Sequence, residues 1–308
     1  MQLSVIIVTY NSAEIIDRCL APFSDYIGED LEVLVWDNAS SDDTVDHIRS
    51  TYPNVKLFAS KTNLGFSRGN DRAFVHCSGE FILLLNPDAF VEGIDQIWSM
   101  LRRLEGDDNI GSVGPQLINL DGTHQVGDAG WNHDLFNSVS HFLFLHKIFG
   151  LKSLFLSNRR FLSKPEVDVD WVCGACMLVP KRVVKEIGGF DFGIFLYGED
   201  VEWGRRIKDL NKRVVYVPSI SVLHLQGASQ KGSEGAPYFS TKWLDALIVS
   251  VAGTTSRYGM IVFKVAALVG FMGRYLLLKC DPCRSKPAGQ SKALNMFKYA
   301  LYIWRGRI

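Results

Sequence analysis

The residues of this chain that could do chemistry fall at the ends of apolar segments, and the clearest case is Asn86–Asp88, directly after the run Phe81–Leu85. Proline cannot donate to a sheet ladder, so Pro87 takes the chain out of a strand where the polar side chains begin. Amide and carboxylate oxygens are ligands for Mg²⁺ and Mn²⁺, although the same residue types also form ordinary turns. Asn86 and Asp88 are therefore predicted site residues, with a plain turn as the alternative.

Three earlier clusters of polar or glycine residues follow apolar segments in the same way. They are Thr9, Tyr10 and Asn11 after the first segment, Asp37 after the second, and Asn63, Gly65, Arg68 and Gly69 after the third. A carboxylate at Asp37 can accept hydrogen bonds from a ring edge rich in donors, glycine permits close backbone approach, and Arg68 can bind a phosphate. The alternatives are a cap or turn at Asp37 and a plain loop with a helix start at the glycines.

The elements that must position these clusters are strands that alternate with helices of 10 to 15 residues. This alternation predicts an α/β fold with a mostly parallel sheet and flanking helices, in which the carboxyl ends of the strands share one edge. Asn11 or Ser12 is predicted to cap the first helix. The chain lacks GxGxxG after its first strand and lacks GxxxxGK[ST] throughout, which disfavours dinucleotide-binding and P-loop proteins. Segment 128–164 is rich in aromatic residues and carries no readable motif.

The charge distribution divides the chain into two predicted regions. Residues 1–241 carry 22 basic and 31 acidic residues, and residues 242–308 carry 11 basic and 2 acidic ones. A basic tail on an acidic body indicates contact with an anionic surface. Within the tail, Met260–Lys279 is long enough to span a bilayer, but Lys264 and Arg274 interrupt it. We expect basic amphipathic helices that lie in the membrane interface, with a true span and soluble packing or dimerisation helices as alternatives.

The N-terminus and the cysteines indicate the compartment. The first apolar run has no basic residue before it and no small-residue cleavage site, which is unlike a signal peptide and predicts a cytoplasmic protein. Six cysteines are compatible with a reducing compartment. The pairs Cys173/Cys176 and Cys280/Cys283 could formally bind zinc, but 103 residues separate them, so buried thiols are the favoured reading.

Taken in order, the motifs of residues 1–230 resemble the family 2 glycosyltransferases, and within them the bacterial rhamnosyltransferase-like branch that builds cell-surface polysaccharides such as O-antigen and cell wall. The resemblance rests on Val8–Asn11, Asp37–Ser40, Asn63–Phe66 with Gly69 and Asn70, Leu85–Asp88, Gly174–Met177, Gly188–Asp191, Tyr197–Trp203 and Val222–Ser229. It implies a GT-A fold, a nucleotide-sugar donor, a divalent metal (Mn²⁺ or Mg²⁺) on the diphosphate, and inversion at the anomeric carbon.

The resemblance also implies roles for particular residues. Asp88 corresponds to the metal-binding carboxylate of an Asp-x-Asp motif in which Asn86 takes the first place, and His224 corresponds to a histidine that completes the metal site in some relatives. Glu199 and Asp200 match the catalytic acidic pair, with Asp200 as general base. Gly174 joins the strand-end clusters as a predicted donor-binding residue. The alternatives are a hydrogen-bonded sheet histidine at His224 and helix capping at the acidic pair.

The expected reaction is therefore transfer of a sugar, best matched by L-rhamnose from dTDP-rhamnose, to a hydroxyl of a lipid-linked or polysaccharide acceptor. Galactofuranose, glucose, galactose and N-acetylglucosamine are alternative sugars, while a nucleotidyltransferase and an inactive sugar-binding or scaffold protein are alternative classes. We expect a protein held peripherally on the inner face of the cytoplasmic membrane, with no nucleic-acid partner. A homo-oligomer is left open.

Overall fold

The computed structural model of the protein describes residues 1–28, 30–191, 198–225, 241–280 and 287–306. Its internal contacts divide the chain into two compact units, Met1–Gly130 with Leu156–Lys231 and Trp131–Phe155 with Gly232–Ile308. The second unit thus includes part of the aromatic-rich segment that carried no readable motif. The predicted boundary between residues 241 and 242 stays a prediction. Tyr197, Gln226–Ser229 and Cys283, which belong to the motifs and cysteine pairs named above, lie outside the described residues.

Strands and helices alternate through the first 106 residues, as the apolar periodicity predicts. They are β1 (Leu3–Thr9), α1 (Ile16–Ser24), β2 (Leu31–Asp37), α2 (Thr44–Thr51), β3 (Lys56–Ala59), α3 (Gly65–Phe74), β4 (Phe81–Leu85), β5 (Ala89–Phe90) and α4 (Ile94–Gly106). Residues 110–224 continue with β6 (Ile110–Ile118), β7 (Ala129–Gly130), α5 (Leu135–Phe142), α6 (Leu145–Phe149), α7 (Arg159–Leu162), β8 (Val167–Val169), β9 (Trp171–Val172), β10 (Cys176–Pro180), α8 (Lys181–Ile187), α9 (Glu199–Asp209) and β11 (Arg213–His224). Of these elements, α5 and α6 belong to the second unit.

Among the described residues, the main sheet of the first unit has nine strands, and its helices flank it as predicted for an α/β fold. The strand order is β3-β2-β1-β4-β10-β6-β11-β5, with β8 paired to β11. The sheet is mixed: β1 to β4 pair in parallel, whereas β10 is antiparallel to both β4 and β6. The reversal arises because β10 begins at the edge where β4 ends, as the bond from the N–H of Asn86 to the carbonyl of Ala175 shows (2.9 Å).

Strand register brings the predicted polar clusters to one edge. Thr9 lies opposite Asp37, and Ile7 lies opposite Leu85, so the residues after β1, β2 and β4 leave the sheet side by side. Both faces of β4 are buried, which agrees with its uniform apolar sequence.

Two local predictions were wrong. Helix α1 begins at Ile16 without a side-chain cap, and neither Asn11 nor Ser12 caps it. Asn11 has a left-handed backbone (φ 49°), and its Oδ1 accepts a hydrogen bond from the N–H of Ser41 (2.8 Å) instead. The apolar stretch Trp171–Pro180 predicts one continuous strand, but the structure breaks it into β9 and β10, because a turn joins Cys173 to Cys176.

The second unit is helical, with α5 and α6 joined by α10 (Lys242–Thr254), α11 (Arg257–Cys280) and α12 (Pro287–Arg305). One face of α11 packs into this unit through Phe263, Ala267 and Phe271. A Cβ at Gly270 would stand 2.5 Å from the carbonyl oxygen of Phe142, so glycine permits the close approach of α11 to α5. Within the described residues, α11 is the helix with the length and apolar composition to cross a membrane, properties that core helices can share.

Candidate active site

The ends of β1 and β2 form a single hydrogen-bonded cluster around Asp37. Its side chain is 1% exposed and accepts hydrogen bonds from Thr9 Oγ1 (2.9 Å) and from the N–H of Ser40 (2.9 Å). The hydroxyl of Ser40 also donates to Asp37, and it accepts from the N–H of Asn11 (2.8 Å). The structure therefore brings Thr9, Asn11 and Asp37 together, with Ser40 as the shared partner, while Tyr10 is 39% exposed beside them.

Asn38 connects this cluster to the third predicted one, and the sequence analysis did not select it. It is 3% exposed, its Nδ2 donates to the carbonyl of Gly65 (3.0 Å), and its Oδ1 accepts from the N–H of Leu64 (3.3 Å). Asn63 in turn accepts from the N–H of Gly65 (2.9 Å), and Gly65 has a left-handed backbone (φ 79°). The only sequence signal for Asn38 was its place beside Asp37 in a stretch that matched the family.

The structure shows a packing role for Gly69, whereas it shows Arg68 only as an exposed residue. A Cβ on Gly69 would stand 2.8 Å from Val8 and 3.3 Å from Trp36, so this glycine lets α3 approach β1 and β2. The close approach predicted for Gly69 is therefore to the sheet. Arg68, one position earlier on α3, is exposed, and the binding of its guanidinium to a phosphate stays a prediction.

The second half of the site is built where β5 pairs with β11. Ala89 lies opposite His224, and the N–H of Leu225 donates to the carbonyl of Asp88 (3.0 Å). This pairing brings His224 Nε2 to 3.3 Å from Asp88 Oδ1, and both residues are buried. Asn86 lies outside this pair, with its carbonyl accepting from the N–H of Ala89 and its own N–H bonded to Ala175.

Gln125, which the sequence analysis did not select, holds the far side of the His224 ring. Its Oε1 lies 2.6 Å from His224 Nδ1, and its Nε2 donates to the carbonyl of His224 (3.1 Å). Gln125 lies in the loop after β6 and is 6% exposed. No periodicity or motif in the sequence marks this position.

The Asp88 and His224 pair fits a divalent cation. Two neighbouring ligands of an octahedral ion with bonds of about 2.1 Å lie about 3 Å apart, close to the observed separation. A histidine whose Nδ1 is bound to a protein acceptor is the usual form of a metal ligand. The described residues contain no group of three or more His, Cys, Asp or Glu that could hold a metal, so an ion here would need further ligands from a diphosphate and water.

Asp200 lies in the first turn of α9, next to the start of β10. Its carboxylate accepts a hydrogen bond from the N–H of Val201 (2.9 Å) and further ones from the N–H of Gly174 and the thiol of Cys173. Burial raises the pKa of Asp200 to about 6, even though these bonds oppose the rise. The structure therefore brings Gly174 and Asp200 together, and the raised pKa gives Asp200 the character of a base that works near neutral pH.

Helix α9 is held against its neighbours by Trp203 and Arg206, which follow Glu199 and Asp200 in the helix. Trp203 is fully buried, donates from Nε1 to the carbonyl of Gly188 (3.1 Å) and packs against the tilted ring of Phe190 with ring centroids 4.6 Å apart. Arg206 forms an ion pair with Glu202 (2.7 Å) and donates to the carbonyl of Gly189 (2.7 Å). Glu199, the other member of the predicted acidic pair, is 9% exposed.

Within the part of the chain that the structure describes, the cysteine pairs form no metal-binding group. Cys173 and Cys176 are free thiols, and burial raises the pKa of Cys176 to about 12. Cys280 is an exposed free thiol of the second unit, and its predicted partner Cys283 lies outside the described residues.

The fold and the site together define a class of protein. The fold is similar to that of solved glycosyltransferases of the GT-A class. One is GalNAc-T7 with UDP, GalNAc and Mn²⁺, with a TM-score of 0.57 and 15% identity over 98% of this chain and 56% of that one. Another is the mannosyltransferase PcManGT from Pyrobaculum calidifontis with GDP-Man and Mn²⁺, with a TM-score of 0.53 and 16% identity over 98% of this chain and 87% of that one.

Sequence comparison places the chain more narrowly. The family model described as Glycosyl transferase family 2 matches residues 4–187. An N-acetylglucosaminyl-diphospho-decaprenol L-rhamnosyltransferase from Mycobacterium tuberculosis is 30% identical over 234 residues, which cover 72% of this chain and 75% of that protein. The chain therefore belongs to glycosyl transferase family 2 and is a glycosyltransferase with a GT-A fold. The predicted family and fold class are confirmed.

Proposed function

We propose that this glycosyltransferase moves a sugar from a nucleotide-sugar donor to a hydroxyl of a lipid-linked or polysaccharide acceptor in cell-surface glycan synthesis, with inversion at the anomeric carbon. The best match for the donor is dTDP-L-rhamnose, supported by the 30% identity to a mycobacterial L-rhamnosyltransferase. The observation that carries the proposal is the pairing of Asp88 with His224 at the strand edge that also holds Asp200, whose pKa is about 6.

The donor would lie along the ends of β1, β2 and β4. In this proposal Thr9, Tyr10, Asn11 and Asp37 face the nucleotide, while Asn63, Gly65, Arg68, Gly69, Asn86 and Gly174 border the diphosphate and sugar. Asp88 and His224 would hold a divalent cation, Mn²⁺ or Mg²⁺. When bound, such an ion compensates the negative charge that develops on the leaving diphosphate.

Asp200 would act on the acceptor. Its carboxylate accepts the proton of the attacking hydroxyl as the oxygen bonds to the anomeric carbon and the bond to the diphosphate breaks. A pKa of about 6 leaves this group ionised at neutral pH and keeps it a stronger base than an ordinary aspartate. Glu199 is buried next to Asp200 in the same first turn of α9.

The reaction is tested with the full-length protein, a polyprenyl-diphosphate-linked acceptor and a panel of donors: dTDP-rhamnose and the UDP forms of galactofuranose, glucose, galactose and N-acetylglucosamine. We expect transfer from one donor, with NMR showing the anomeric configuration inverted, loss of transfer in EDTA and recovery with Mn²⁺ or Mg²⁺. Retention of configuration would contradict Asp200 as base. Full activity in excess chelator would contradict the cation site, and formation of a nucleotide sugar from a sugar phosphate would support the nucleotidyltransferase alternative.

We also propose that the second unit attaches the protein peripherally to the inner face of the cytoplasmic membrane. One side of α11 exposes apolar side chains that recur at helical spacing and are between 49% and 82% exposed, namely Tyr258, Ile261, Val262, Val265, Val269, Leu276 and Leu277. Residues 242–308 carry 11 basic and 2 acidic residues, a charge that favours an anionic lipid surface. An apolar stripe with basic neighbours is typical of a helix that lies in the interface.

Vesicle binding tests this attachment. The double variant Val265→Asp, Val269→Asp should no longer pellet with phosphatidylglycerol vesicles, and salt should weaken the binding of the wild type. Val75→Asp, on a 78% exposed residue of the first unit, is the matched control and should pellet like the wild type. Equal pelleting of all three proteins would contradict a docking role for this face, and a homo-oligomer that loses its contacts in the double variant would show as a change in mass by light scattering.

A further inference from the structure

The loop after β6 contains a chain of hydrogen bonds whose direction can be followed from one end to the other. Asp121 is exposed, and hydrogen bonds from the hydroxyl and the N–H of Thr123 lower its pKa, so at neutral pH it can only accept. The Thr123 hydroxyl must therefore donate to Asp121 (2.5 Å). The same hydroxyl oxygen is then an acceptor for Asn119 Nδ2 (3.0 Å).

This orientation fixes the two amides that follow. With its Nδ2 directed at Thr123, Asn119 presents Oδ1 to Gln125 Nε2, which donates to it at 3.0 Å. The carbonyl of His224 accepts a second bond from the same Nε2 (3.1 Å). Two separate acceptors therefore identify this atom of Gln125 as the amide nitrogen. The Gln125 oxygen must then face the imidazole, and it lies 2.6 Å from His224 Nδ1.

The last hydrogen bond of this series determines which nitrogen of the His224 ring carries the hydrogen. A glutamine oxygen can only accept, so the hydrogen must be on His224 Nδ1. In the neutral ring, Nε2 then carries the lone pair and points at Asp88, 3.3 Å away. The two lone pairs face each other, and either a second ring proton or a metal cation between them relieves their repulsion.

We propose that Gln125 is a positioning residue that sets the tautomer of His224, and that the chain from Asp121 through Thr123 and Asn119 fixes the orientation of Gln125. The inference rests on the proposed cation site at Asp88 and His224. It adds a function for the loop 119–125, which is to prepare His224 as a ligand before any cation or donor arrives. Preorganised ligands of this kind bind more tightly because less ordering is needed on binding.

The first test measures Mn²⁺ affinity by electron paramagnetic resonance, with saturating dTDP and, in parallel, UDP. Gln125→Met keeps the volume of the side chain but cannot accept from Nδ1, and it should weaken Mn²⁺ binding about 10- to 100-fold. Gln125→Glu restores an acceptor oxygen and should recover most of the affinity. Gln96→Met is the matched control, because Gln96 also donates to a carbonyl of β11, at Ser221 (3.0 Å), without contact to the imidazole.

The second test reads the tautomer directly in the metal-free protein, above the ordinary pKa of histidine. Long-range ¹H–¹⁵N spectra, with the His224 signals assigned from His224→Ala, should show the hydrogen on Nδ1 in the wild type. In Gln125→Met the hydrogen should move to Nε2, where Asp88 accepts it. Thr123→Val, which removes the hydroxyl that orients Asn119, should give a smaller shift in the same direction.

The outcomes separate the inference from the proposed function. An Nε2–H ring in the wild type, or Mn²⁺ affinity unchanged in Gln125→Met but lost in His224→Ala, would overturn the role of Gln125. Absence of Mn²⁺ binding by the wild type would instead contradict the proposed cation site. In that case the spectra still decide the inference, because an Nδ1–H ring that depends on Gln125 supports it and one that does not depend on Gln125 overturns it.

Discussion

Two buried carboxylates of the first unit, at opposite ends of the strands, have opposite environments. Glu32 lies at the start of β2 and accepts hydrogen bonds from Ser4 Oγ, from the N–H and hydroxyl of Ser78, and from Lys56 Nζ (2.5 Å). Burial acts to raise its pKa, but the bonds from Lys56, Ser4 and Ser78 together lower it to about 2. Asp200, near the carboxyl ends, accepts from uncharged donors, namely the N–H groups of Val201 and Gly174 and the thiol of Cys173, and burial raises its pKa to about 6.

This difference shows how one sheet can hold a carboxylate that stabilises the fold at one end and a carboxylate suited to proton transfer at the other. Full compensation of a buried charge makes Glu32 a fixed anion that ties β1, β2 and the turn before β4 together. Partial compensation leaves Asp200 an anion that takes up a proton more readily than an ordinary aspartate, as a general base must. Desolvation raises the pKa of both carboxylates. Hydrogen bonds outweigh this effect at Glu32 but not at Asp200.

The largest expected effect is on catalysis at Asp200. Asp200→Asn removes the group that would take the proton, so the transfer rate should fall about 10²- to 10⁴-fold. The same change removes a poorly compensated buried charge, so the free energy of unfolding near neutral pH should stay the same or rise by on the order of 1–3 kcal/mol. Transfer assays and urea unfolding measure the two quantities. Unchanged turnover would exclude Asp200 as the base.

Glu32→Gln supplies the opposite half of the comparison. It removes the charge but keeps the shape, and it leaves Lys56 without its partner and Ser4 and Ser78 with a weaker acceptor. We expect the free energy of unfolding to fall by about 2–4 kcal/mol, while the turnover of the folded enzyme stays at the wild-type value. A variant that lost turnover without losing stability would contradict the division of roles between the two ends of the sheet.

The pH dependence of stability sharpens the comparison, because the two pKa values depart from the ordinary range in opposite directions. The folded-state pKa of Glu32 is depressed, so its stabilisation is complete above about pH 4.5 and is lost as pH falls toward about 2. The folded-state pKa of Asp200 is raised, so its charge destabilises the protein above about pH 6, and this effect disappears as pH falls from about 6 toward 4.

Unfolding by urea across this range, in the wild type and both variants, measures the two contributions. The stability difference between wild type and Asp200→Asn should shrink as pH falls below about 6. The difference between wild type and Glu32→Gln should hold down to about pH 4.5 and shrink below it. Parallel curves for all three proteins would show that neither carboxylate has the environment described above.

The sequence predicted the strands of the first 90 residues because their apolar runs leave few alternatives, and with them the cluster at Asp37. It did not predict that β10 runs antiparallel, because a buried strand reads the same in either direction. The pairing of Asp88 with His224 joins residues far apart in the chain through β5, a strand of two residues, and came from resemblance alone. The sequence does not reveal Gln125, because a single glutamine in a loop belongs to no periodic pattern or motif. Its proposed function depends on contacts with His224 that form only in the folded protein.

The smallest expected effect compares two glycines, one at each end of the sheet. A Cβ on Gly79 would stand 2.6 Å from the backbone nitrogen of Ser4, beside Glu32, where neither strand can move without breaking hydrogen bonds. A Cβ on Gly174 would stand 3.1 Å from the tip of the Phe66 side chain, which need shift by only a few tenths of an ångström. Gly79→Ala should therefore lower the free energy of unfolding by about 1–3 kcal/mol, and Gly174→Ala by less than about 1 kcal/mol.

For activity we expect the opposite order, with the larger effect from Gly174→Ala and the smaller from Gly79→Ala. The N–H of Gly174 donates to Asp200, so a small shift of this backbone changes the environment of the base. Gly174→Ala should shift the acidic limb of the pH–rate profile of transfer, and Gly79→Ala should not, because its strain falls at the Glu32 end. A profile displaced equally by both substitutions would mean that the two ends of the sheet are mechanically coupled and that the base depends on the packing of the whole sheet.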